Sequence, residues 1–266
     1  MSIGRLRDLR KLIYRVEAQR SPLGRALLHG ALACYRCYDS LILKRSSHPD
    51  LASEKVLLRD HRILFVGVPK VATRSILTAL KSLAATDRQT HIIVELDIDT
   101  VLHRYPEAGA YFKFTFVRNP WSRAVSCYLD KIRNHDPIKQ ARHLHGRYGL
   151  EAGMPFEAFA EWLNSTDGSD DVADRHWMSQ YRILAYDRPE LIKYDFVGRF
   201  EQLAQDYGQM QKHAGVDFPP LPHRLRTQGP NEYLEMYNDR CIELVGRRYA
   251  RDIDLFGYDF DRISPA

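Results

Sequence analysis

The sequence predicts an α/β protein with a central, mainly parallel sheet, helices on both of its faces, and a basic helical extension at the N-terminus. Three observations carry this. Ile63, Leu64, Phe65, Val66 and Val68 make a near-continuous apolar run, the pattern of a strand covered on both faces. Residues 111–117 (YFKFTFV) repeat the pattern with aromatic residues. Each run passes through a tight turn into a helical pattern, the strand-helix alternation that builds parallel sheets.

The chain has 266 residues, 44% of them hydrophobic and 27% charged, enough for one large core with a small appendage. We expect an extension over 1–50 and a single main domain over 51–266. Ten Lys and Arg residues in the first 45 face only Asp8, Glu17 and Asp39. They suit a solvated helix pair covering the domain, or a surface in peripheral contact with a membrane. The apolar stretch at 22–43 is broken by Arg25, His29, Arg36 and Asp39, so neither a secretory core nor a membrane span is expected. A net charge of +5 suits a polyanionic ligand, and no basic run with interleaved aromatics points to nucleic acid. Cys34, Cys37, Cys127 and Cys241 are too scattered for a disulfide scaffold, which implies a reducing compartment. The C-x-x-C at 34–37 has no second pair to complete a zinc site.

Residues 62–80 organise the chain. Gly67 allows close backbone approach, Pro69 fixes φ, and Lys70 sits beyond the strand's carboxyl end, where open α/β sheets bind ligands. Ile76, Leu77, Leu80 and Leu83 then make an apolar stripe, so the helix N-terminus faces the turn. Its free N–H groups, with Lys70, Thr73, Arg74 and Ser75, form an anion cradle. A P-loop NTPase would have G-x-x-x-x-G-K-[ST]; here there is no second glycine and no Ser or Thr after Lys70.

Residues 91–96 alternate as a short strand with His91, Ile93 and Glu95 on one face, and Asp99 and Thr100 offer caps for a short helix toward Tyr105. The strand at 111–117 ends in Arg118, with Asn119 as cap and Pro120 opening the next helix. An NTPase places a magnesium-binding Asp at such a strand tip, and Arg118 there meets a second phosphate directly. A polar loop with His135, His143 and His145 follows, then a helix over 155–165, an acidic loop over 166–174, and the amphipathic cluster 175–181. A strand at 194–198, a helix at 201–213, a proline-rich loop at 218–230 and a last helix at 238–249 complete the reading, with Phe256, Tyr258 and Phe260 tying down the tail.

Three blocks resemble the PAPS-dependent sulfotransferases, closest to the carbohydrate (chondroitin/dermatan-type) sulfotransferases; PAPS is 3′-phosphoadenosine 5′-phosphosulfate. Residues 68–75 (VPKVATRS) are similar to the 5′-phosphosulfate loop, 116–131 (FVRNPWSRAVSCYLDK) to the 3′-phosphate block, and 194–201 (YDFVGRFE) to a downstream signature. His176 with Trp177 matches a further pair. The departure is Thr73-Arg74-Ser75 where the glycan group often has Cys-Thr-Asn.

The resemblance implies a P-loop-like three-layer sandwich, PAPS as donor, PAP as product and no metal requirement. It implies that Lys70, Val71, Ala72, Thr73, Arg74 and Ser75 hold the 5′ phosphosulfate, and Arg118 and Ser126 the 3′ phosphate. Lys70 would neutralise the departing nucleotide oxygen during in-line transfer. The acceptor would be a carbohydrate or, as the alternative, a lipid or secondary metabolite. For the base, His91 is favoured and Glu95 is next, the alternative being that His91 is a surface strand residue. His103 lies in the same segment and is assigned to the acceptor, as are His176 and Trp177, with His176 a further alternative for the base. Lacking the anchor and disulfides of animal members, the chain is expected to be a soluble bacterial enzyme of the cytoplasm, its extension touching at most the inner membrane face.

Overall fold

The fold is taken from a computed structural model, which describes residues 53–83, 91–133, 150–151, 153–222 and 233–260, with the side chains of 91–95 excepted. Five strands form one sheet in the order β3-β1-β2-β4-β5. They are β1 (Ser53–Leu58), β2 (Ile63–Val66), β3 (His91–Leu96), β4 (Phe112–Val117) and β5 (Phe196–Arg199). β2, β4 and β5 pair parallel; β1 runs antiparallel between β2 and β3. Four strands therefore point one way, and the mainly parallel sheet expected from sequence is present.

The helices are α1 (Thr73–Leu83), α2 (Ile98–Arg104), α3 (Pro120–Tyr128), α4 (Phe156–Leu163), α5 (Gln180–Ile183), α6 (Leu203–Ala214), α7 (Asp239–Arg248) and α8 (Ala250–Phe256). Among the described residues none is long and apolar enough to cross a membrane. On one face of the sheet Phe65 packs on Phe114 at 5.0 Å and Phe116 on Phe196 at 6.3 Å. Phe218 and the α6 residue Tyr207 close over this stack. Gly198 opposes Phe116 across the β4–β5 pair, and a Cβ there would lie 2.3 Å from the Phe116 ring.

Several expectations are corrected. No strand was expected at 53–58, yet β1 holds the sheet's interior, with Lys55 and Ser53 both 0% exposed. The Lys55 ammonium donates to Ser53 Oγ at 2.9 Å and to the Leu96 carbonyl, which is how a buried lysine is tolerated. The cap of α2 is Asp97, whose carboxylate accepts from Thr100 N and Thr100 Oγ1, rather than Asp99 or Thr100. The chain after 249 forms a further helix, α8, and Phe256 and Tyr258 are buried as expected. The 1–50 extension, Cys34, Cys37, the histidines at 135, 143 and 145, and most of the 218–230 loop lie outside the described residues.

Candidate active site

The site grows from the turn after β2. Gly67 N donates to the Glu54 carbonyl at 2.8 Å, and a Cβ on Gly67 would lie 2.8 Å from that same oxygen and 2.8 Å from Thr73 Cγ2. Only glycine fits between β1 and the start of α1. Lys70 (φ 71°) and Ala72 (φ 50°) are both left-handed, a costly backbone for residues with a Cβ and one that forms anion-binding concavities. Thr73 Oγ1 donates to the Val68 carbonyl at 2.5 Å and closes the loop. Ala72 O takes Ser75 N and Ile76 N, so α1 starts directly behind it with no acidic residue in its first turn. The helix end keeps its positive pole for an external anion. Arg74 is exposed beside it.

Lys70 enters this cradle from a mostly buried position, 3.1 Å from Asp130 Oδ2. Burial pulls its pKa down, and Asp130 resists that. Burial also opposes the charge of Asp130, but Lys70 and Lys131 outweigh it and hold the carboxyl below the usual carboxylate range. Asp130 sits in a π-helical turn, Leu129–Arg133, that continues α3. Behind Lys70 the Cys127 thiol is pushed up to about 11 by burial, so it stays protonated.

The second cation comes from the tip of β4. Arg118 is 8% exposed; its Nη1 donates to the Lys70 carbonyl at 3.0 Å, its Nε to Ser122 Oγ at 2.9 Å, and its guanidinium lies 4.2 Å over the Phe200 ring. Burial lowers its pKa to about 10, which leaves it charged at neutral pH. Nη2 keeps no partner among the described residues. Gln180 clamps the Arg118 backbone at both N and O, at 2.9 and 2.8 Å. Asn119 caps α3 as expected, accepting from Trp121 N and Ser122 N. Ser126 follows Ser122 by one helical turn and is also buried. The 194–201 block joins here, because Glu201 accepts from Asn119 N at 2.8 Å.

A third element was not foreseen. Arg123, 2% exposed on α3, donates through Nε to Pro69 O at 3.1 Å, through Nη1 to Met178 O at 2.8 Å and through Nη2 to Arg175 O at 3.3 Å. One guanidinium thus ties the residue before Lys70 to the residue before His176. In that turn Asp174 Oδ1 accepts from His176 N at 2.9 Å and meets His176 Nδ1 at 2.5 Å. Burial disfavours the imidazolium and lowers the His176 pKa, against the pull of Asp174.

The other expected site residues fall elsewhere. Trp177, 1% exposed, packs edge-on against Trp162 at 5.4 Å and is a core side chain rather than the lining of an open acceptor pocket. His91 pairs with Leu58 and Glu95 with Glu54, the residue bonded to Gly67. Alternation placed them on one face, but five strand rows of about 3.3 Å separate His91 from the edge where Leu96 and the cradle lie. His91 therefore starts at the end opposite Lys70, which argues against it as the base. His103 is exposed in the last turn of α2. Just beyond it, Tyr105 and Glu107 meet Arg59 at that same far end, so the structure does not bring His103 to the cradle.

A family model described as the sulfotransferase family matches residues 54–259, from β1 through the cradle, the Arg118 block and α8. The chain belongs to the sulfotransferase family. Carbohydrate sulfotransferase 14 of Danio rerio is 26% identical over 236 residues, covering 77% of this chain and 62% of that protein. Carbohydrate sulfotransferase 14 of Mus musculus is 27% identical over 242 residues, covering 79% and 61%. Carbohydrate sulfotransferase 10 of Danio rerio is 26% identical over 238 residues, covering 74% and 64%. The chain thus spans a little under two thirds of the length of these relatives. No solved structure matches the chain.

Proposed function

We propose that the chain transfers a sulfuryl group from PAPS to a hydroxyl of a carbohydrate. One observation carries the donor side of this reading: Arg118 Nη1 bonds the Lys70 carbonyl, so the residues at the two strand tips adjoin. A nucleotide with anionic groups at both ends would meet one cation at each. Gly67, the left-handed Lys70 and Ala72, and the start of α1 would receive the 5′ phosphosulfate. Arg118 Nη2 with Ser126 would receive the 3′ phosphate.

When bound, the donor supplies an activated sulfur-oxygen bond whose departing oxygen gains negative charge. Lys70, with its ammonium held beside Asp130, is the group that would stabilise that charge. Thr73, bonded to Val68, and Arg123, bonded to Pro69, keep the loop in place while this happens. The carbohydrate acceptor rests on the likeness to carbohydrate sulfotransferases 10 and 14, at 26–27% identity.

Calorimetry with PAP and turnover with radiolabelled PAPS test the reading together. Lys70→Ala should keep most of the PAP affinity and lose turnover. Arg118→Ala removes one or more charge-assisted bonds, each worth roughly 1.5–3 kcal/mol, so affinity should fall about ten- to a hundredfold. PAP binding that is normal in folded Arg118→Ala, or nucleotide binding that needs ATP and magnesium, would overturn the assignment. Transfer to phenols or lipids but not to glycans would overturn the acceptor class.

A further inference from the structure

We propose that His176, held by Asp174, is the base that takes the proton of the acceptor hydroxyl. This rests on the sulfuryl-transfer reading above and assigns the group that the reaction needs on the acceptor side.

Position comes first. Arg123 donates to Pro69 O at 3.1 Å and to Arg175 O at 3.3 Å, so Lys70 and His176 each follow a carbonyl held by the same guanidinium. Beside the cradle, Asp130 Oδ2 is 3.1 Å from the Lys70 ammonium and 3.3 Å from that of Lys131, and the Lys131 charge disfavours the imidazolium of His176. Among the described histidine side chains, no other is tied to the cradle in this way.

Chemistry comes second. Burial opposes the charge of Asp174, but His176 and Arg175 hold its carboxyl below the usual range. An ionised carboxylate only accepts, so in the neutral imidazole Nδ1 carries the proton and the lone pair lies on Nε2. Nε2 has no partner among the described residues, and the side chain keeps a quarter of its surface exposed. The charged groups acting on the ring are Asp174, Lys131 and Arg175. The two cations and burial outweigh the carboxylate, so the ring is neutral and able to accept at neutral pH.

The step balances. The acceptor oxygen forms a bond to sulfur and gives its proton to His176 Nε2. The bond from sulfur to the bridging phosphate oxygen breaks, and its electron pair leaves on PAP beside Lys70. Asp174 does not touch the reacting atoms; it is a positioning residue that fixes the tautomer and stabilises the imidazolium.

The test uses His176→Gln, His176→Ala and Asp174→Asn in the full chain. His176→Gln should lose about a hundredfold or more in kcat while PAP affinity by calorimetry stays within about twofold. Added imidazole should restore part of the turnover of His176→Ala. In the wild type, kcat/KM should rise with pH through a group titrating below 6.5 and then level off. Asp174→Asn removes the charge that supports the imidazolium, so this acid limb should move to lower pH as the rate falls. A purely structural role would lower the rate without moving the limb. Wild-type turnover in His176→Gln with PAP bound normally overturns the base and leaves the donor site standing. Loss of PAP binding by the wild type would instead remove the parent reading. Should the His176 variants not fold, the limb decides: its absence from the wild type, or its staying in place in Asp174→Asn, overturns the proposal.

Discussion

Replacing Arg123 by Lys asks whether one buried guanidinium sets the geometry of the site. The side chain is 2% exposed and its three donors reach Pro69, Met178 and Arg175 at 3.1, 2.8 and 3.3 Å. An ammonium keeps the charge but concentrates its donors at one point, so it reaches two of these carbonyls at most. At least one charge-assisted bond is lost, worth roughly 1.5–3 kcal/mol, and a buried carbonyl is left bare. We expect a destabilisation of about 2–4 kcal/mol, or a melting temperature about 5–15 °C lower for a domain of this size. The functional loss should be larger than the loss of binding. Lys70 and His176 are referred to each other through this residue, and a displacement of about 1 Å between reacting groups costs on the order of a hundredfold in rate. Thermal unfolding, PAP calorimetry and single-turnover transfer on the same preparation read all three. A variant that melts and turns over like the wild type would refute the idea that Arg123 positions the two loops.

Two further perturbations probe the same frame. Gly67→Ala forces a Cβ to within 2.8 Å of Glu54 O and Thr73 Cγ2; it should destabilise by about 1–3 kcal/mol and weaken PAP binding, and an unchanged melt with unchanged affinity counts against the cradle. Asp252 is raised from 3.8 to about 6 by burial, against its bonds from Gln180 N and Tyr181 N. The folded state then holds its proton more tightly than the unfolded one, so this group's contribution is lost as pH rises from about 4 through 6, up to about 3 kcal/mol. Urea midpoints of Asp252→Asn should show a shallower fall over that window than the wild type, and parallel curves would contradict the assignment.

The elements that the sequence declared were those whose pattern and burial agree. β2, β4 and β5 are apolar or aromatic runs, and Lys70 and Arg118 stand out because each interrupts such a run at its end. β1 was hidden because Ser53 and Lys55 look solvent-facing, and only the partners Ser53 Oγ and Leu96 O make an inward lysine acceptable. Alternation told which face of β3 His91 and Glu95 share, but not which end of the strand meets the cradle; that depends on pairing with β1, a reversed strand that was not foreseen. Arg123 and Asp130 read as ordinary helix-surface charges. The signal that was available for Arg123 is its setting among Ser122, Ala124, Val125 and Ser126, small or apolar residues on either side that leave no wet face for a guanidinium.

Every residue of α3 is buried, although a helix buried all round is usually apolar. Three of its polar side chains are bonded to a loop of the site or to a neighbouring element. Ser122 holds Arg118, Arg123 holds three carbonyls, and Trp121 donates to Ile242 O at 3.0 Å. Core and site therefore share one helix, and a change on it cannot alter chemistry without altering the packing that supports the sheet. His176 is different, since among the described residues its ring bonds only Asp174, in its own turn, and Nε2 has no partner. Substitutions along α3 should thus lower melting temperature and turnover together, whereas His176→Gln should lower turnover alone. That contrast separates side chains that hold the site from the one that reacts in it.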